Sequence, residues 1–327
     1  MEVSHLSQTF NSSHTRFFLY GFPQFAESRT LLIVPFLFAY AAILSGNSLI
    51  IYRIWVEKSL QSMMYTLISL LFLVNLSCTN TIMPPFLLSL VSGEFQISLN
   101  SCLVQMFVIY LTIVLESAVV LLMAFDRHVA ICRPLRYREI MTSQLLGQLV
   151  LVSVIRGVVL VCPIVISVSK VQFCGSNVIQ SFACENMALL NLGCGDISRT
   201  HITGLVIRIC VSVLDGNFIL ISYLDILRTT MKTVRGQAIR KALHTCSTHI
   251  IVVILIYTCG FLSSVVYRIA AVIPANMQNL VSAIYFLFPA TVNPIIYGLR
   301  LKEIRICLMR AYQRKKVHVN EPIGPLK

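Results

Sequence analysis

Charged side chains are scarce in this chain: they make up 12% of its 327 residues, about half the share of an ordinary soluble domain. Together with 57% hydrophobic residues and a mean hydropathy of +0.80, that shortage excludes a water-soluble globular protein and makes bilayer physics the frame. Acidic residues are scarcer still, 13 against 26 Lys and Arg, for a formal net charge of +13. The bases are not interleaved with exposed aromatics as in a nucleic-acid binder, so no nucleic-acid partner is expected. Also missing is a Pro- or Gly-rich linker between residues 29 and 299, which reads as one membrane domain between a short N-terminal segment, 1–28, and a tail, 300–327. The first residues lack a basic stretch, a short apolar core and a small-residue cleavage site. No cleavable signal peptide is expected, and the first span is expected to direct its own insertion.

What is present is a succession of apolar runs, each longer than the ~20 residues a helix needs to cross a bilayer. They cover about Leu31–Trp55, Tyr65–Val91, Cys102–Ile131, Leu145–Val168, Ile202–Leu227, Ala242–Val266 and Leu280–Leu299. The expected fold is therefore an all-α membrane protein, a seven-transmembrane helix bundle. After Leu299, Leu301, Ile304, Leu308 and Ala311 recur at three- and four-residue steps between basic residues, which suits a short amphipathic C-terminal helix lying on membrane lipid. Cys307 in that helix is a candidate for acylation, with an unmodified thiol the simpler expectation.

Lys and Arg are distributed asymmetrically. With the N-terminus outside, the segments Arg53–Lys58, Arg127–Arg138, Arg228–Lys241 and Arg300–Lys327 are cytoplasmic and hold 19 of the 26 bases. Asn11-Ser12-Ser13 is then a glycosylation acceptor on the external side. Four cysteines, Cys102, Cys174, Cys184 and Cys194, fall on that side too, where disulfides form. Four cysteines allow three pairings, and zinc binding is disfavoured by the even spacing and by the lack of a CxxC.

One stretch carries most of the chemistry. Met123–Tyr137 reads MAFDRHVAICRPLRY: an apolar helix leaves the membrane and places Asp126, Arg127 and His128 within one turn. Arginine at such a depth is costly unless paired, and Asp126 is the adjacent partner. Four more ionisable groups lie deeper: Glu116, Arg156, Arg208 and Asp215. They are expected to pair or to face water. Arg208 is expected to pair with Asp215, seven residues along one helix face, rather than to meet an anionic ligand; Glu116 is expected to be protonated or paired with Arg156.

MAFDRHVAICRPLRY, with Ser222-Tyr223, KALHTCSTHI (Lys241–Ile250), NPIIYGLRLKEIR (Asn293–Arg305) and Gly21-Phe22-Pro23, resembles the odorant receptors of the rhodopsin-like G-protein-coupled class. The resemblance runs from Gly21 to Arg305. It implies that Arg127 is held by Asp126 at rest and then released toward Tyr223 and Tyr297 as span six swings outward to admit a heterotrimeric G protein of the stimulatory, olfactory type. Asn47, Asn293 and Pro294 would form a polar seam between helices. Disulfides Cys102–Cys184 and Cys174–Cys194 are implied, making a lid over a ligand cavity. The family's ligand positions fall on Ile109, Tyr110, Ile113, Val114, Ile207, Val211, Tyr257, Gly260, Phe261 and Ser264, with Arg208 the one candidate charge among them. A small, mostly apolar odorant, a rise in cyclic AMP, residence in the plasma membrane and a trafficking escort follow from the same resemblance.

Departures from the family pattern are specific. Asn75 stands where an aspartate is usual, so Glu116 is left as the one carboxylate of a sodium site and weak sodium binding at most is expected; no other cofactor or metal is. His128 replaces the usual tyrosine, as an interfacial aromatic first and a pH sensor second. Ser181 and Ala183 replace the usual histidine and phenylalanine of the lid, and Ala290 replaces a proline, with Pro289 one position earlier. A transporter or channel would show paired broken helices or a ring of pore charges, and an enzyme a nucleophile with a base; none is visible. The nearest rival is a rhodopsin-like receptor for a non-odour small molecule.

Overall fold

The computed structural model describes residues 13–93, 95–233, 237–268 and 273–309. Asn11, Ala311 and the end of the basic tail lie outside these residues. Seven helices are long and apolar enough to cross a membrane: α1 (Arg29–Val56), α2 (Met63–Ser92), α3 (Leu99–Cys132), α4 (Ser143–Ser169), α5 (Ser198–Thr233), α6 (Gln237–Arg268) and α7 (Ala275–Arg300). An eighth, α8, covers 302–309.

Local chemistry sets the helix ends. Ser98 caps α3 by accepting from the Ser101 amide, and Thr142 caps α4 by accepting from the Leu145 amide. At the close of α2, Gly93 adopts φ 75°, the left-handed conformation that ends a helix cheaply only at glycine. Each expected span is found, with its ends extended by a few polar residues whose backbone groups the helix satisfies.

Side chains sort by face. Leu31, Phe38, Trp55, Val159 and Phe261 point outward and are strongly exposed, which in this composition means that lipid covers them. Inside, one cluster fills the half toward the C-terminus, with Leu67, Phe72, Met123, Ile226 and Tyr297, and includes Leu301, Ile304 and Cys307 of the α8 segment. The apolar face of α8 thus packs on the bundle, and Cys307 is buried there. That burial removes Cys307 as an acylation site in this arrangement.

A small cap closes the opposite end. Strand β1 (Arg16–Leu19) pairs antiparallel with β2 (Phe95–Ser98) and parallel with β4 (Val178–Ile179). A second pair joins β3 (Gln172–Phe173) to β5 (Gly193–Cys194). Disulfides Cys102–Cys184 and Cys174–Cys194 tie this cap, with Cα atoms 5.4 and 5.8 Å apart. Phe17 and Leu19 are fully buried beneath it, so residues 16–19 belong to the folded body.

Candidate functional site

Three polar sites adjoin α3, one at its C-terminal end and two at mid-depth around the neighbouring residues Ser117 and Glu116. The first lies at the C-terminal end of α3. Arg127 forms an ion pair with Asp126, its Nε donating to Oδ2 at 2.9 Å and its Nη2 to the same oxygen. The Tyr137 hydroxyl donates to the other oxygen, Oδ1, at 2.7 Å. Asp126 is fully buried, and these bonds supply the partners its charge requires. Burial first, then the bond to Asp126, holds the Tyr137 phenol well above its usual range, so it remains a donor. Sequence reading missed Tyr137, eleven residues on, because a 3-10 turn at Pro134–Arg136 folds it back.

Beside this lock stand Tyr223, His249 and Tyr297. Tyr297 is fully buried, its hydroxyl 3.5 Å from His249 Nδ1. Tyr223 has a buried hydroxyl without a hydrogen-bond partner among the described residues, as do His249 Nε2, His128 Nδ1 and both side-chain polar atoms of Asn293. Asn47 donates from Nδ2 to the carbonyls of Ile43 and Ala290 at 2.8 and 3.0 Å, and so joins α1 to α7 between Pro289 and Pro294, the two prolines inside that helix. Arg300 donates to Ser247 at 2.7 Å and to Thr248 at 3.1 Å, fastening α7 to α6.

At mid-depth the pairing departs from expectation. Asp215 of α5 takes both Nη groups of Arg156 of α4, at 2.8 and 2.6 Å, and the Ser117 hydroxyl of α3 at 2.7 Å. The expected Arg208–Asp215 pair is therefore not formed. Seven residues along a helix separate two positions by about 10 Å, too far for direct contact, whereas α4 brings Arg156 alongside. Arg208 instead donates to Ser264 of α6 and lies 6.0 Å from the centre of the Tyr285 ring. Glu116 is likewise not paired with Arg156.

Glu116 faces a small cavity of about 20 Å³, shared with Asn75, Cys78, Thr112, Ile113, Tyr285 and Pro289. A cavity of this size takes one water-sized body, not an odorant. Asn75 and Glu116 are thus brought together, and Asn75 Nδ2 has no hydrogen-bond partner among the described residues.

The family-derived ligand positions divide. Ile109 is buried in the external-cap half, Tyr110 accepts from the Asn186 amide at 2.9 Å, and Tyr257 lies 3.1 Å from Ser117. A methyl placed on Gly260 would sit 3.4 Å from Tyr285, so glycine permits close approach of α6 and α7. Ile207 and Val211 are partly buried on α5. Phe261 is a correction: its side chain is 72% exposed on the outer face, one residue and about 100° around the helix from Gly260. Val114 turns toward α4, where a methyl on Gly157 would come within 3.9 Å of it. The altered lid residues Ser181 and Ala183 are both buried, and Ala183 packs with Phe182 and Phe86.

Comparison with known proteins decides the family. The model of the family described as "Olfactory receptor" matches residues 36–315. The chain belongs to the olfactory receptor family. It is 35% identical to human "Olfactory receptor 52K1" over 313 residues, 95% of this chain and 100% of that protein. To human "Olfactory receptor 51I2" it is 33% identical over 309 residues, 94% and 99% of the two chains. Among solved structures, squid rhodopsin aligns with a TM-score of 0.71 at 15% identity, over 88% of this chain and 86% of that one; this likeness bears on the fold alone. The protein is a multi-pass membrane receptor and not an enzyme, with a small-molecule ligand and a G protein as its classes of partner.

Proposed function

We propose that the protein is a plasma-membrane odorant receptor with its N-terminus outside, which answers a small, mostly apolar molecule by activating a stimulatory, olfactory-type G protein and raising cyclic AMP. The observation that carries this reading is the buried Asp126–Arg127–Tyr137 lock beside Tyr223, His249 and Tyr297. A helix-end arginine held by one buried carboxylate is a bistable element that a ligand can bias. The excess of bases at the lock's end of the bundle supports a cytoplasmic placement.

Between α3, α5 and α6 the ligand would meet Tyr110, Tyr257 and Ser264, with Arg208 to orient it. Since Asp215 is taken by Arg156, Arg208 keeps donors for an acceptor group such as a carboxylate or ester. Sodium, held by Glu116 with a neutral Asn75, would bind weakly.

The test is a cyclic-AMP reporter assay in cells that supply an olfactory-type G protein, against a chemically diverse panel. Acids and esters lose potency in Arg208→Ala, while hydrocarbons keep theirs. An equal change for both classes removes Arg208 from the site, and no response from well-expressed receptor overturns the proposed function.

A further inference from the structure

Apart from Tyr257, the mid-depth polar group belongs neither to the lock nor to the ligand positions, yet it joins four helices in one row. Arg156 comes from α4, Asp215 from α5, Ser117 from α3 and Tyr257 from α6. Its bonds have a direction that can be worked out. Asp215 is an acceptor only, and both its oxygens are engaged by the Arg156 fork. Ser117 has a single hydroxyl proton and places it on Asp215 at 2.7 Å. Toward Tyr257, 3.1 Å away, Ser117 can then only accept, so the Tyr257 O–H must donate. Changing the charge at Asp215 would free the serine to turn, and the tyrosine would lose its defined acceptor.

Position makes these bonds consequential. Asp215 is 1% exposed and Ser117 is buried, in a part of the bundle where water cannot readily replace a lost partner. Tyr257 is the α6 member of the row, and any outward movement of α6 separates it from Ser117 on α3. Arg208–Ser264 also joins α5 to α6, but without the buried carboxylate behind it.

From this geometry we infer that Arg156, Asp215 and Ser117 are positioning residues forming a clasp: they hold the Tyr257 hydroxyl and keep α6 packed, and the Ser117–Tyr257 bond is the link that parts when α6 moves. The inference rests on the receptor reading above for its functional consequence, but the clasp itself can be measured without a G protein.

The experiment compares purified full-length wild type, Ser117→Ala, Tyr257→Phe and the double variant by hydrogen–deuterium exchange without ligand, alongside ligand-free nucleotide exchange on added stimulatory G protein. Both single variants leave the Arg156–Asp215 pair in place. Each is expected to raise exchange in α6 by about fivefold, the population shift that loss of one ordinary hydrogen bond brings, with α1 unchanged. The double variant should match Ser117→Ala, because that change already removes the Ser117–Tyr257 link together with the Ser117–Asp215 bond. Unchanged or slower α6 exchange, or effects that multiply in the double variant, overturns the clasp. Faster α6 exchange with no response from the G protein leaves the clasp standing and counts against the proposed function.

Discussion

Two carboxylates in this receptor have nearly the same partners and opposite settings. Asp126 takes two guanidinium bonds from Arg127 and one hydroxyl bond from Tyr137; Asp215 takes two from Arg156 and one from Ser117. In the first, both guanidinium bonds fall on one oxygen and come from the adjacent residue, at the end of a helix. In the second the fork spans both oxygens and comes from another helix, 59 residues away, at mid-depth. Breaking the first frees one side chain at the end of a helix, near an end of the bundle. Breaking the second strands a charge in the membrane interior. Identical chemistry therefore makes a switch in one place and a fastening in the other, and the local dielectric decides which.

Removing the arginine from each pair is the sharpest way to break that comparison. Arg127→Ala should reduce ligand-driven signalling to background while surface expression and ligand binding stay near wild type, since Asp126 keeps the Tyr137 bond and lies near the bundle end. Preserved signalling would sink the switch. Arg156→Ala should instead fail at folding, with about 3–5 kcal/mol lost by leaving Asp215 buried and unpaired. Surface labelling and thermal denaturation in detergent would read it.

A second effect, smaller in size, separates a mutual fastening from a net stabiliser. Replacing both members, Arg156→Met with Asp215→Leu, should restore melting to within about 1–2 kcal/mol of wild type, because the double change leaves no orphan charge. A double variant as unstable as the sum of the two single ones would show that the ion pair contributes stability outright, and the contrast with Asp126 would narrow.

These same pairs mark how far the sequence could be read. The seven spans were legible because apolar length is a one-dimensional property, and Asp126–Arg127 was legible because the partners are neighbours. Arg156–Asp215 was not: choosing among Glu116, Arg156, Arg208 and Asp215 requires the rotation of three helices about their axes, which no single segment encodes. The same missing phase misplaced Phe261, which turns outward while Gly260 faces Tyr285. Strand β1 escaped notice because RFFL is too short for alternation to stand out, and only pairing with β2 and β4 makes it a strand. His249, one residue within KALHTCSTHI in the sequence, gains meaning only beside Tyr297.

The smallest expected effect concerns the hydroxyls. Tyr137→Phe deletes the 2.7 Å bond to Asp126 Oδ1 and leaves the ion pair, so the lock should loosen by about 1 kcal/mol and ligand-free signalling should rise a few-fold. A tyrosine whose native proton affinity is raised contributes fully below the ordinary phenol range, near pH 10, and loses that contribution only as pH climbs through the raised native value. Hence the Tyr137 contribution is constant across the near-neutral range, and the ratio of Tyr137→Phe to wild-type basal signalling should be the same at each pH there. A ratio that drifts with pH would mean the hydroxyl is not the element that distinguishes the Asp126 lock. His128, whose Nδ1 is buried without a hydrogen-bond partner among the described residues, would then be the group to substitute next, by His128→Tyr.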